Sequence, residues 1–277
     1  MNVGVVGLGL IGGSFAKAYK AFGHTVYAHD TDASTLDYAL LSGVVDAPLD
    51  NDVIGLCELV IIALYPGATI EYLESHAQFI SSKTIVIDCC GIKRNICTAG
   101  FNAAARHGFT FVGGHPMAGT EYSGFKHSKA NIFKGASMII VPPIYNDIVF
   151  LEKLKQLLAP AEFGRLTITT ADKHDEIIAY TSQLAHLVSG SIIKSPTAFA
   201  HKGFSAGSYK DMTRVARLNE QMWTELLMGN KEHILRELDF FMSSLHEYRN
   251  ALQNNDIDSL RRLLGDGRRL KEEVDRL

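Results

Sequence analysis

The sequence has no run of about 18 apolar residues, the length a membrane-spanning helix needs. Its most apolar segments, such as LVIIALYPGA, are strand-length and end in turn residues, so no membrane partner is expected. Nor is there a surplus of positive charge: 27 Lys and Arg stand against 30 Asp and Glu, for a net charge of -3, which argues against nucleic acid as a partner. The four cysteines, Cys57, Cys89, Cys90 and Cys97, form no C-x-x-C pair and have no histidine at zinc spacing. Reduced, buried thiols are therefore expected, and no metal site. The apolar start lacks the basic region and small-residue cleavage site of a leader peptide, so a cytoplasmic location is expected. There is no internal repeat and no low-complexity linker. What remains is a chain of 277 residues, 47% hydrophobic and 21% charged, an ordinary globular composition long enough for two domains.

The first half alternates β-rich apolar runs with helical stretches. NVGVVGL reads as a strand, Gly13 to Phe22 as a helix, HTVYAHD as a second strand and Ala33 to Gly43 as a second helix; ELVIIALYP, TIVIDCC, FTFVGGHP and ASMIIVPP read as further strands. Strands apolar on both faces and separated by helices imply a parallel sheet covered on both sides, a doubly wound α/β domain. The pattern changes near residue 165. After the short run RLTITTA, long helical periodicities fill the chain, with Asp172 expected as an N-cap and Asp175 and Glu176 in the first turn. The expected division is an α/β domain over residues 1–168 and an all-helical domain over 169–277. The leucines of the last helix, Leu260, Leu263, Leu264 and Leu270, leave an apolar stripe suited to a partner subunit.

The stretch VGLGLIGGSF carries a glycine fingerprint: Gly7, Gly9 and Gly12 follow a strand and open a helix, and Asp30 ends the next strand 18 residues after Gly12. That spacing is chemically specific. Gly7 allows the tight turn, Gly9 lets the backbone approach a pyrophosphate, Gly12 permits close helix packing, and the acid accepts from ribose hydroxyls. The pyrophosphate would sit on the helix N-terminus. Asp30 would repel a 2'-phosphate and no basic residue follows it in HDTDAS, so NAD is expected rather than NADP. The domain is thus of Rossmann type, with a cofactor site expected at Gly7, Leu8, Gly9, Leu10, Ile11, Gly12, Asp30, Leu64, Tyr65, Cys90 and Gly91.

The loop GGHPMAGTEYSGF, residues 113–125, follows a strand of the same sheet and carries one histidine and one glutamate. Ligands of doubly wound sheets bind beyond the carboxyl ends of the strands. His115 therefore stands where a base would be needed, and imidazole can accept an alcohol proton as hydride leaves the same carbon.

GGHPMAGTEYSGF resembles the G-H-P-[MI]-A-G-x-E-x-S-G motif of the prephenate and arogenate dehydrogenases. GSYKDMTRVARLNEQMW is similar to that family's G-[GF]-x-[RK]-D-x-T-R-[IV]-A followed nine residues after the arginine by Trp, and HDEIIAYTSQLAH to its H-D-x-x-x-A-x-x-S-H-x-x-H. The resemblance implies NAD-dependent oxidation and decarboxylation of prephenate to 4-hydroxyphenylpyruvate, or of arogenate to tyrosine. It implies that His115 is the base, that Arg214 binds a substrate carboxylate, that Glu121 tunes His115 or gates access, and that Thr120, His186 and Gly207 line the substrate pocket. Trp223 reads equally as the family tryptophan and as helix packing. A helical domain of this kind pairs across a two-fold axis, so a homodimer is expected. With the chain ending soon after these helices, any inhibition by tyrosine is expected to act at the site itself.

Two positions depart from the family pattern. Gly91 in DCCGIK occupies the place of a serine that orients the histidine, leaving Cys90, Thr120 or a water to do so. Gln183 replaces the first of two histidines. Two other readings stay open at this stage. One is a dehydrogenase of the β-hydroxyacid or imine reductase type, with Lys210 or Lys231 as its lysine; the other is a non-catalytic NAD-sensing module.

Overall fold

The computed structural model describes residues 1–120 and 122–276. Eight strands among these, β1 (Asn2–Val6), β2 (Thr25–His29), β3 (Ala47–Pro48), β4 (Leu59–Ile62), β5 (Ile85–Asp88), β6 (Thr110–Pro116), β7 (Ser137–Val141) and β8 (Arg165–Ile168), form one sheet. Its order is β3-β2-β1-β4-β5-β6-β7-β8, with the order reversing at β1 as a doubly wound fold requires. Neighbouring residues of each central strand face opposite ways. Val5, Ile61 and Ile87 join Phe15 and Tyr19 on one side of the sheet, while Val6, Ile62 and Val86 join Tyr72 and Phe111 on the other. Period-two geometry thus turns a continuous apolar run into two cores.

The sheet is not parallel throughout. β7 runs antiparallel to β6, pairing Gly113 with Val141 and Pro116 with Met138, and β8 is parallel to β7. A parallel neighbour needs a crossover of a dozen or more residues, usually helical. Among the described residues between β6 and β7 the one helical element is a short turn, Phe125–His127, and the chain doubles back. That loop is pinned: Phe125 is buried, and Lys17 Nζ donates to the Ser128 carbonyl at 2.9 Å from beneath.

The helices are α1 (Leu10–Ala21), α2 (Ala33–Leu41), α3 (Pro66–His76), α4 (Arg94–His107), α5 (Ile148–Leu158), α6 (Ala171–Ile178), α7 (Ala185–Ile193), α8 (Gly207–Thr213), α9 (Glu220–Gly229), α10 (Lys231–Gln253) and α11 (Ile257–Val274). α1 starts three residues before the expected Gly13, because Gly9 is the extended N-cap and Gly12 and Gly13 lie buried inside the helix. α6 is capped by Thr170, whose side chain accepts from Lys173 N, rather than by Asp172; Asp175 is fully buried and serves elsewhere. α6 and α7 are joined without a break through a widened π-helical turn, Ala179–Leu184. The long periodicity after Tyr209 is interrupted at Arg214, and Asn219 caps α9 by accepting from Met222 N.

The chain divides into two compact units, Met1–Asn230 and the segment from Lys231 onwards. In the second, α10 and α11 pair, with the Tyr248 hydroxyl donating to the Leu263 carbonyl at 3.2 Å. All four cysteines are unbridged. Burial pushes the thiols of Cys57, Cys90 and Cys97 up to about 12, with neighbouring charges adding to or offsetting it. Among the described residues no helix is long and apolar enough to cross a membrane, and no group of His, Cys, Asp or Glu is placed to hold a metal ion.

Candidate active site

The glycine turn joins β1 to α1. Gly7 has φ +87°, a conformation that favours glycine, and its amide donates to the His29 carbonyl at 2.8 Å. A β-carbon on Gly12 would lie 1.8 Å from the Gly7 oxygen, whereas one on Gly9 would meet no protein atom within 4 Å. Gly12 is needed for packing, and Gly9 leaves open space above the backbone. No side chain caps the N-terminus of α1, so its first amides are available to an anion. Asp30 follows β2 and accepts from Leu8 N at 2.6 Å and from Asp32 N at 2.8 Å. The carboxylate is thereby held at the end of the turn.

In front of this turn lies a cleft of about 550 Å³ bounded by Gly9, Leu10, Ile11, Leu64, Tyr65, Cys90 and Gly91, and closed by Gly119 and Thr120. Gly7, Leu8, Gly12 and Asp30 form the turn behind it. The open space at Gly9, the uncapped helix and the acid fit a dinucleotide.

His115 lies on β6, half-buried. Its Nδ1 stands 2.8 Å from His174 Nε2, and His174 Nδ1 stands 2.7 Å from Asp175 Oδ1. His174 and Asp175 are buried. Burial pushes the His115 imidazole well below its usual range, with His174 and Lys93 adding to the effect. A neutral imidazole is the form that can take a proton. A β-carbon on Gly91 would stand 3.9 Å from His115 Cε1 and 3.3 Å from Leu226 Cδ2. The histidine thus stands next to Gly91, a residue of the cleft wall and the position of the missing serine, where the Leu226 side chain also packs.

Among the described residues, neither Cys90 nor Thr120 is hydrogen-bonded to His115. Cys90 Sγ lies 3.3 Å from Thr69 Oγ1 and 3.5 Å from the Leu64 carbonyl. Thr120 Oγ1 bonds the Tyr122 backbone. Hydrogen-bonding capacity that is already satisfied nearby is not free to reach a ring. The hydrogen-bond partner of the ring is His174 instead.

A second cleft, about 430 Å³, shares Gly119, Thr120, Tyr122 and Met222 with the first and is lined further by His186, Arg214, Arg217 and Trp223. His186 Nδ1 donates to the Ser182 carbonyl at 2.8 Å, and its ring packs on Trp223 with centroids 4.1 Å apart. Burial lowers its pKa, the Ser182 bond opposes this and Arg214 adds to it. The break between α8 and α9 presents both arginines to the cleft. Guanidinium groups suit carboxylates because they offer paired, permanently charged donors.

Gly207, the first residue of α8, borders neither cleft; nor does Lys210, farther along the same helix. Glu121 lies outside the described residues. Gln183 is buried, donates to the Leu226 carbonyl at 3.2 Å and accepts from Asn230 Nδ2 at 2.8 Å, fastening α9 to the α6–α7 segment. The sequence alone assigns no site role to His174, Arg217 or Leu226, and it presents Asp175 only as a first-turn acid. The H-D pair was quoted as part of a motif, but only its distance from His115 in space gives it a task.

The geometry agrees with the comparisons with known proteins. Residues 15–164 match the family described as prephenate dehydrogenase, nucleotide-binding domain, and residues 170–266 match prephenate dehydrogenase, dimerization domain. The chain is 30% identical over 266 residues to the prephenate dehydrogenase of Bacillus subtilis, covering 92% of this chain and 71% of that one. It is similar in structure to Synechocystis arogenate dehydrogenase, with TM-score 0.80, 26% identity and coverage of 99% and 100% of the two chains. It shares its fold with the A. aeolicus prephenate dehydrogenase solved with hydroxyphenyl propionate and NAD+, with TM-score 0.81, 24% identity and coverage of 99% and 98%. The two matches run in order through the sheet that carries His115 and the helices that carry Arg214, and the chain belongs to the prephenate dehydrogenase family.

Proposed function

We propose that the protein catalyses the NAD-dependent oxidative decarboxylation of prephenate to 4-hydroxyphenylpyruvate, or of arogenate to tyrosine, in tyrosine biosynthesis. The observation that carries this reading is the position of His115, a neutral imidazole next to Gly91, which lines the dinucleotide cleft. NAD, when bound, supplies the acceptor for the hydride leaving the ring carbon that bears the 4-hydroxyl. The amides at the start of α1 and the open backbone of Gly9 bind the pyrophosphate, and Asp30 accepts from the ribose hydroxyls and disfavours a 2'-phosphate. Leu10, Ile11, Leu64, Tyr65, Cys90 and Gly91 line the rest of the cofactor cleft.

His115 takes the 4-hydroxyl proton as the carbon–hydrogen bond breaks. The ring carboxylate leaves as carbon dioxide and its electron pair completes the aromatic ring. Arg214 holds a substrate carboxylate in the adjoining cleft, where Thr120 and His186 also contact the substrate; from the motif alone, Gly207 is assigned the same role, and Glu121 a place at the mouth of the site that tunes His115 or gates the substrate. The enzyme acts in the cytoplasm as a homodimer. Exposed apolar residues of the second unit, among them Phe240, Leu245 and Leu264, support the pairing.

The test is the appearance of NADH absorbance when purified protein is mixed with NAD+ and either prephenate or arogenate. Turnover of one or both is expected. Measurable NAD+ binding with no turnover of either would overturn the reading in favour of a sensing module.

A further inference from the structure

Gly91 cannot supply the hydroxyl that would orient the base, yet a general base works only if one nitrogen is reliably bare. The geometry points to His174 and Asp175 as positioning residues that fix His115 in the tautomer with its proton on Nδ1, leaving Nε2 as the basic nitrogen. This inference rests on the reading of His115 as the base.

The argument starts at the carboxylate. Asp175 Oδ1 accepts from Lys93 N at 2.7 Å and Oδ2 from Arg94 N at 2.9 Å, so the group is surrounded by donors. His174 Nδ1, 2.7 Å from Oδ1, must therefore carry a hydrogen. His174 is itself buried, and burial holds its pKa below the ordinary imidazole value despite the opposing bond to Asp175; Lys93 adds to the lowering. A neutral imidazole protonated on Nδ1 has its lone pair on Nε2. That lone pair lies 2.8 Å from His115 Nδ1, which must donate to it. The two rings meet at 60° with centroids 5.1 Å apart, the arrangement of an edge-on hydrogen bond rather than a stack. No partner is found for His115 Nε2 among the described residues.

The relay is rigidly held. Asn230 Nδ2 donates to the Asp175 carbonyl at 2.8 Å and to Gln183 Oε1 at 2.8 Å. The backbone that carries His174 and Asp175 is thus tied to the end of α9 and to the α6–α7 segment. Gln183, the departure from the family's histidine, works in this support and not in the cleft. Among the described residues, other charged groups beside the relay include Lys93 and Asp88, which pair with one another, both completely buried, and Arg94, 3.7 Å from Asp175 Oδ2.

The test combines two variants with a measurement on the unmodified protein. In ¹⁵N-histidine-labelled protein without ligands, His115, assigned by its loss in His115→Asn, should be protonated on Nδ1 alone; protonation on Nε2 overturns the inference without any relay variant having to fold. His174→Gln places an amide oxygen where Nε2 was and should keep kcat within about threefold of the parent. His174→Leu removes the acceptor and should lower kcat by about 100-fold, the scale of general-base catalysis, with KM within about twofold and a mixture of His115 tautomers. A His174→Leu protein with parental kcat overturns the inference, as does one with low kcat but His115 still protonated only on Nδ1. Either result leaves the base itself standing. Parental turnover in His115→Asn overturns the base and the relay together.

Discussion

Glu225 of α9 accepts a hydrogen bond at 2.9 Å from the amide of Gly67, in the first turn of α3, 158 positions earlier in the chain. α3 follows β4 and has no side-chain cap of its own, its N-cap being Tyr65. A carboxylate there satisfies an otherwise unpaired amide and complements the positive end of the helix. Met222 and Leu226 from the same stretch of α9 border the cofactor cleft with Tyr65, so the cap also sets one wall of that cleft. Glu225→Ala should lower stability by about 1 kcal/mol and raise the KM for NAD+. Thermal unfolding and an NAD+ titration check both, and a variant unchanged in both would sink the role.

Beneath the other wall, Lys93 pairs with Asp88, and both side chains are fully buried. Asp88 also accepts from Cys90 N at 2.8 Å and Gly114 N at 3.0 Å, so it ties the loop carrying Gly91 to the strand carrying His115. Burial opposes the charge on Lys93, but Asp88 beside it outweighs this and holds the ammonium pKa above its ordinary value. Removing one member of such a pair leaves a buried charge uncompensated. Lys93→Met should cost about 3 to 5 kcal/mol in urea unfolding; a loss below about 1 kcal/mol, the range of a surface pair, would show the pair to be dispensable.

These two contacts mark the limit of what the sequence reveals. The fingerprint at Gly7, Gly9, Gly12 and Asp30 is legible because its roles are local, set by backbone conformation and by spacing within one β-α-β unit. His115 is legible because it ends a strand on the ligand side of the sheet. His174 and Asp175 are not, since their function depends on the packing of α6 beside β6, which no periodicity encodes. Asp175 reads as a helix-dipole acid for the same reason, and Gln183 only as a departure from the family's histidine. The antiparallel direction of β7 is not legible, because an apolar strand looks alike in either direction; only the missing crossover helix distinguishes the two.

Gly91→Ser restores the hydroxyl of the family pattern. The added β-carbon is close to Leu226 Cδ2, at 3.3 Å, and that flexible side chain can yield by a few tenths of an ångström. Because His174 already occupies His115 Nδ1, the serine adds no orientation that is missing. The kcat should stay within about threefold of the parent, less than the roughly 1 kcal/mol of a typical hydrogen bond. A rise of tenfold or more would mean that the base is poorly oriented in the native protein.

Arg214 stands at the end of α8 in a cleft it shares with His186 and Arg217. Replacing it with Gln keeps a donor but removes the charge and the paired geometry. Arg214→Gln should raise KM for the carboxylate substrate by about 10- to 100-fold, consistent with a charge-assisted bond of about 1.5 to 3 kcal/mol, and change kcat less. An unchanged KM would make Arg214 a helix-end charge without a substrate role; Arg217 would then be the arginine to replace.

The buried histidines also set how stability depends on pH. His115 and His174 both have pKa values below the ordinary 6.5, in each case through burial first, and His186 shifts the same way. Above about pH 6.5 these residues are neutral in the folded and unfolded chain alike, so they add no pH dependence. As the pH falls below that value the unfolded chain takes up protons that the folded one does not, until the lowered folded values are reached. The unfolding free energy should therefore fall with acidification, by up to about 1.4 kcal/mol per pH unit for each such histidine. Among the described residues, Lys93, Asp88, Asp175 and Arg94 are charged groups around the pair. Urea unfolding between about pH 7.5 and pH 5 measures the slope, and His174→Gln should make it shallower by about one proton. A stability that is level across that interval would contradict the burial of neutral histidines at the heart of the site.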